Sequence, residues 1–235
     1  MINTRVTALD EVSNIYFINL NCRKDRLKHA IEQCSSIGFN CPIRIDAIQL
    51  ANGAIGCSLS HIKALERAKR EKLENVIIVE DDITFLNPSL FTSQINGFLR
   101  SNRKWDMVLL AGNNSIPFTI FNKFAVKVNR CQTTTGYLIN SSYYDTLITN
   151  IKEGVRMLIN EPENHRLYAV DKYWFKLQCE DEWYLITPLT VIQKMDYSNI
   201  EKRITNYEMP MLTLNKASHP RYCHADSTVS QKTTA

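Results

Sequence analysis

Residues 76–85 read VIIVEDDITF, four aliphatic side chains followed at once by three carboxylates. Such an apolar run suits a strand buried on both faces. Adjacent acids inside a buried strand would repel one another and resist desolvation, so the triplet belongs at the strand's exposed end, where a cation neutralises it. Strand alternation then predicts that Glu80 and Asp82 share a face while Asp81 turns away. An E-x-D pair on one side is a hard-oxygen set. It suits Mn²⁺ or Mg²⁺, with water and phosphate oxygens completing the shell. The competing reading is an acidic loop in which one carboxylate caps the next helix and the others are solvated.

The flanking chain alternates strands and helices. IYFINL (15–20) is a short apolar run of buried-strand type, followed by a helical pattern with Leu27, Ala30, Ile31 and Cys34 on one face, Asp25 as N-cap and Gly38 at the stop. CPIRIDAI (41–48) reads as a second strand. Residues 52–75 open with two glycines and a serine-rich cap, and carry Leu59, Ile62, Leu65 and Ala68 along one side of a helix that ends in basic residues. VIIVE is the third strand, Asn87 and Pro88 start another helix, and MVLLAG (107–112) is a fourth strand. Further on, residues 123–140 read as strand, loop and strand, 141–154 as a helix capped by Ser141 or Ser142, and 170–178 as another helix. The apolar runs of 183–193 are split by Pro188, which predicts an edge strand or loop rather than a central strand.

This alternation predicts an α/β fold with a mostly parallel central sheet flanked by helices on both faces. Ligands of such sheets sit beyond the carboxyl ends of the strands, a rule that places Asn19, Asp46, Glu80, Asp81, Asp82 and Gly112 on one rim. No GxxxxGK[ST] and no GxGxxG is present, which argues against a phosphate-loop NTPase or a dinucleotide enzyme.

With 44% hydrophobic and 22% charged residues, the 235-residue chain has enough apolar material for one sizeable core. It reads as a single domain over 15–214, between a polar arm (1–14) and a polar, disordered tail (215–235). No run approaches the roughly 18 apolar residues of a membrane span, and MINTRVTALDEVSN has neither a basic nor an apolar leader region. The seven cysteines form no CxxC pair and fit a reducing compartment, so the expected location is cytoplasmic. HPRYCH (219–224) lacks a second ligand pair at zinc spacing and reads as a polar end. The net charge of +4 is spread out, and RKDRLK (23–28) and KREK (69–72) lack interleaved aromatics, so nucleic acid is not an expected partner.

Five separated segments share one pattern. FINLNCRKDR (17–26) resembles the INL-x-x-R-x-x-R opening of glycosyltransferase family 25, the lipooligosaccharide and collagen β-galactosyltransferase family. GAIGCSLSHI (53–62) resembles its Gly-Cys-x-x-Ser-His segment, VIIVEDDITF its acidic motif, TTTGYLIN (133–140) its Thr-x-x-Gly-Tyr-x-Ile segment, and PLTVIQKMDYSNI (188–200) its closing Pro-x-x-x-x-Gln and Ser-x-Ile pattern. The five occur in the family's order over residues 15–200.

The resemblance implies a GT-A-type, Rossmann-like fold, a UDP-sugar donor, Mn²⁺ (or Mg²⁺) and inversion at the anomeric carbon. The sugar, galactose as the first choice, would go to a hydroxyl of a glycan, lipopolysaccharide or protein acceptor, with at most peripheral membrane association. In this role Asp82 is the first choice as direct metal ligand. Glu80 would face the donor's ribose or sugar, or hold a metal-bound water, and Asp81 has the weaker claim. Asp171, in YAVDKYW, matches a late family aspartate and is the candidate general base, with N-capping of 172–178 as the alternative. Asn19 would bond the nucleobase or ribose, and Arg23 or Arg26 would approach the diphosphate unless they are surface positions of a basic helix. His61 would touch the ligand or be a buried, hydrogen-bonded helix histidine. Thr135, Gly136, Gln193 and Ser198 match motifs without a derived chemical role. Family members often continue into further helices or a second domain, so the short polar end implies an acceptor side that is minimal or completed by a partner. A nucleotidyltransferase or phosphohydrolase on a similar sheet leaves the Gly-Cys-x-x-Ser-His and Thr-x-x-Gly-Tyr-x-Ile segments unexplained. A catalytically silent binding module has no need of three adjacent acids.

Overall fold

Eight strands form the central sheet of the computed structural model, which describes residues 6–198 and 203–216. In chain order they are β1 (Ile15–Asn19), β2 (Ile43–Asp46), β3 (Asn75–Glu80), β4 (Met107–Leu109), β5 (Phe118–Asn122), β6 (Ala125–Val128), β7 (Gly136–Asn140) and β8 (Trp183–Ile186). Their order in space is β2-β1-β3-β7-β4-β8-β6-β5. β7 and β6 pair antiparallel with both of their neighbours, and β1 with β2, β1 with β3, and β4 with β8 pair parallel. Six of the eight strands therefore run one way, which makes the sheet mostly parallel in direction.

Four long helices cover it: α1 (Lys24–Ser36), α2 (Gly53–Arg70), α3 (Pro88–Ser101) and α4 (Tyr144–Asn160). The period-two geometry of strands divides the core into two layers. Ile15, Phe17, Ile77 and Val79 pack with Ala30 and Cys34 of α1 and Phe91, Ile95 and Phe98 of α3. Tyr16, Ile18, Val76 and Ile78 pack with Ile62 and Leu65 of α2 and Leu147 and Ile151 of α4. The run VIIV is apolar throughout because both of its faces are covered.

Four local expectations are corrected. Residues 183–186 form an interior strand, paired on both sides, and Pro188 lies beyond its end, where a missing N–H removes nothing from the ladder. Asp25 sits in the first turn of α1 and pairs with Arg23; it does not cap the helix. Asn52 and Asn140, rather than serines, cap the starts of α2 and of the turn leading into α4, because a short amide oxygen reaches the orphan N–H groups. The polar reading of residues 1–14 missed Val6, Leu9 and Val12, which are buried in the first layer.

α2 approaches the loop after β2 closely. A Cβ on Gly56 would stand 2.5 Å from the Ile48 carbonyl oxygen, and Ser60 Oγ holds the Ile48 N–H at 2.8 Å. Because the obstacle is backbone, Gly56→Ala is expected to lower stability by about 1–3 kcal/mol. In urea this would appear as a lower midpoint at an unchanged slope.

Candidate functional site

β3 ends at Glu80, Asp81 and Asp82 form a turn, and Ile83–Phe85 then pairs with Val191–Gln193. Alternation holds through Glu80 and stops there. Glu80 faces α2: its Oε1 accepts from Thr134 Oγ1 at 2.6 Å and lies 3.5 Å from Cys57 Sγ and 3.4 Å from His61 Nε2. Asp81 and Asp82 both swing to α1, where Arg26 Nη1 is 3.1 Å from Asp81 Oδ1 and 2.8 Å from Asp82 Oδ2. The predicted sharing of a face by Glu80 and Asp82, with Asp81 apart, is thus corrected, because a turn does not keep strand periodicity.

The two sides differ in acidity as well as direction. Burial pushes the Asp82 carboxyl up to about 7, the Glu80 charge adds to this, and Arg26 opposes it. Burial also raises Asp81, against its bonds to Asn19 and Arg26. Glu80 moves the other way. Burial would raise it, but hydrogen bonding and charge from His61, with the donors Thr134 and Cys57, hold it below the usual range. Asp82 Oδ2 also accepts from Gln193 Nε2 at 2.9 Å, while the buried Oδ1 has no hydrogen-bond partner. An orphaned, desolvated carboxylate oxygen beside a second carboxylate fits a hard divalent cation.

Two cavities flank Glu80. The first, of about 400 Å³, opens beyond the carboxyl ends of β1, β2 and β3 and is lined by Leu20, Ile48, Arg23, Arg26, Asp81 and Asp82 among others. The second, of about 370 Å³, is lined by Thr133, Thr134, Arg166, Asp171, Lys172 and Tyr207 among others. Cys57, Glu80, Gln193 and Ser198 belong to both walls. The ribbon Asp196–Ser198 with Arg203–Thr205 is tied to α1 by Asp196, whose Oδ2 lies 3.0 Å from Arg26 Nε and also pairs with Arg23.

Asn19 is placed differently from the expectation. It is 1% exposed, and its amide is fully engaged by Asp81, the Arg23 carbonyl and Arg44, so it holds Asp81 rather than facing a ribose. Arg23 and Arg26 do line the first cavity. Asp171 lines the second, in the first turn of the short helix Val170–Tyr173, and makes no cap bond there. Its Oδ2 accepts from the Thr133 N–H at 3.1 Å, and burial raises its pKa against the opposing charge of Lys172. His61 is buried, with Tyr137 hydroxyl 2.9 Å from Nδ1. Cys57, Thr134 and Asp196 were missed. The i, i+4 spacing of Cys57 and His61 signals a shared helix face, whereas nothing local marks Asp196, which meets Arg26 170 residues away.

Among the described residues, no helix is long and apolar enough to cross a membrane, and six cysteines are free thiols. HPRYCH and Ile200 lie outside the described residues.

A family model described as glycosyltransferase family 25 (LPS biosynthesis protein) matches residues 44–174, more than half of the chain. A glycosyltransferase 25 family member of Anopheles gambiae is 26% identical over 196 residues, covering 69% of this chain and 31% of its own length. The chain thus spans about a third of that curated relative. Among solved structures, a glycosyltransferase involved in glycosylation of the major capsid of PBCV-1 aligns with a TM-score of 0.47 at 11% identity, over 85% of this chain and 89% of that one. A mannose-1-phosphate geranyltransferase from Thermus thermophilus aligns with a TM-score of 0.43 at 7% identity, over 74% and 72%.

Proposed function

Because the chain belongs to glycosyltransferase family 25, we propose that it is a divalent-cation-dependent, inverting glycosyltransferase that moves a sugar, galactose first among candidates, from a UDP-sugar to an acceptor hydroxyl. The acceptor is a glycan, a lipopolysaccharide or a protein. The observation that carries the reading is Asp82, a buried carboxylate with an orphaned oxygen, on the wall of a cavity that also presents two arginines.

In this reading Asp82 holds Mn²⁺ or Mg²⁺, which when bound neutralises charge on the diphosphate as UDP leaves, and Glu80, turned toward α2, drops out of the expected ligand pair. Gln193 fixes the Asp82 carboxylate through Oδ2 and leaves Oδ1 available. Arg26 occupies the acidic turn in the structure, so donor and cation binding exchange one neutralising partner for another, and the freed guanidinium suits a bidentate phosphate contact. Asp81, held by Asn19, keeps Arg26 close to that position. The second cavity takes the acceptor, with Asp171 removing its hydroxyl proton. Because the two cavities adjoin at Cys57, Glu80, Gln193 and Ser198, an acceptor oxygen reaching past these residues would attack the anomeric carbon opposite the departing UDP. This is a single displacement that forms one C–O bond as the other breaks and inverts the centre.

UDP with Mn²⁺ is expected to raise the melting temperature by roughly 5–10 °C at a hundredfold excess over Kd. UDP without a divalent cation should give a far smaller shift. No stabilisation by any nucleoside diphosphate would remove the donor-site reading, and absence of UDP release on addition of any acceptor would remove the transferase reading.

A further inference from the structure

Three ligand-type side chains meet behind the acidic turn. Cys57 and His61, four residues apart, project from one face of α2, and Glu80 reaches them from the end of β3. Sγ of Cys57 is 3.5 Å and Nε2 of His61 is 3.4 Å from the same Glu80 oxygen, and the three ligand atoms lie within 4.8 Å of one another. A tetrahedral ion bonded at its usual Zn–N, Zn–O and Zn–S lengths separates its ligands by roughly 3.3–3.8 Å. We propose that Cys57, His61 and Glu80 form a binding site for a thiophilic divalent cation of the zinc class, with its fourth position open to the cavities.

The surroundings match such a site. A thiolate and a carboxylate carry two negative charges, which balance a divalent ion, and the neutral imidazole adds none. Binding releases the Cys57 thiol proton to solvent. With Nε2 on the ion, His61 keeps its ring proton on Nδ1, where the Tyr137 hydroxyl, 2.9 Å away, can accept it. Thr134 Oγ1, 2.6 Å from Glu80 Oε1, orients the carboxylate. Cys57 and Glu80 line both cavities, so an ion has a way in and a place for a fourth ligand. The site differs in chemistry from the proposed donor cation: a thiol is a poor ligand for Mn²⁺ or Mg²⁺, and Asp82 points away from it toward Arg26.

The test titrates the metal-free full chain with Co²⁺ in the absence of nucleotide, in a background with the exposed Cys22, Cys41 and Cys179, and also Cys223, changed to serine. Expected are a thiolate-to-cobalt charge-transfer band, the intense visible bands of four-coordinate cobalt, saturation at one equivalent, and bleaching by Zn²⁺. Cys57→Ser should abolish the charge-transfer band, Glu80→Gln should weaken Co²⁺ binding by about tenfold or more, and Asp82→Asn should leave the band in place. Absence of the band in the parent protein overturns the proposal whatever the variants do, as does a band that survives Cys57→Ser or is lost in Asp82→Asn. The readout needs neither UDP nor turnover, so failure of the UDP and Mn²⁺ shift would leave it unaffected.

Discussion

Asp82→Asn is expected to lower acceptor-dependent UDP release by roughly a thousandfold and to abolish the Mn²⁺-dependent stabilisation by UDP. An amide keeps the shape and the bond from Gln193 but cannot supply an anionic oxygen to a cation. Asp81→Asn should cost less, because both Asp81 oxygens are already spent on Arg26 and Asn19. In the metal-free protein the same Asp82 substitution should act in the opposite direction on stability. Its folded pKa, about 7, lies above the unfolded value. Between about pH 4 and pH 7 the unfolded state therefore loses this proton first, and wild-type stability falls as pH rises. An asparagine side chain does not titrate, so the variant should gain on wild type through that window and hold a roughly constant advantage of about 1–3 kcal/mol above it. Urea midpoints of the two proteins at pH 5 and pH 8, without divalent cation, measure this. Near wild-type turnover in Asp82→Asn would sink the ligand assignment, and a pH-independent stability difference would sink the electrostatic account.

The fold was legible where side-chain periodicity is local. IYFIN and NVIIVE announce buried strands, and Leu65 and Ala68 the buried side of α2, because each pattern depends on residues within one or two turns of it. What stayed hidden depends on distant chain. Pro188 made residues 183–186 look like an edge, yet position in a sheet is decided by β4 and β6, which flank them. The triplet was recognisable as a site, but its internal geometry was not. Alternation describes a strand, and the strand stops at Glu80, so the faces of Asp81 and Asp82 follow from the turn and from Arg26. Asn19 stands at a strand's carboxyl end, where the rim rule expects ligand contacts, but its amide meets Asp81, 62 residues away, and is consumed there.

Asp171→Asn is expected to reduce transfer to the acceptor by roughly 10²- to 10⁴-fold while UDP and Mn²⁺ binding stay at wild-type strength. The substitution separates two roles that fall on one side chain. Asp171 Oδ2 accepts from the N–H of Thr133, a non-glycine residue held at φ 84°, so the carboxylate also supports a strained backbone position on the wall of the second cavity. Asparagine keeps a carbonyl oxygen for that N–H and loses only the ability to take a proton. If support of Thr133 were the whole function, Asp171→Asn would retain activity and Asp171→Ala would lose it together with stability. If proton removal is the function, both variants lose turnover and only the alanine variant melts lower. The pH profile supplies a second discriminator. Burial raises the Asp171 pKa, toward the range in which a carboxylate works as a base near neutral pH. The acid limb of kcat/KM in wild type should therefore report its ionisation and vanish from the residual rate of Asp171→Asn. An unchanged acid limb in that variant would reassign the base to another group.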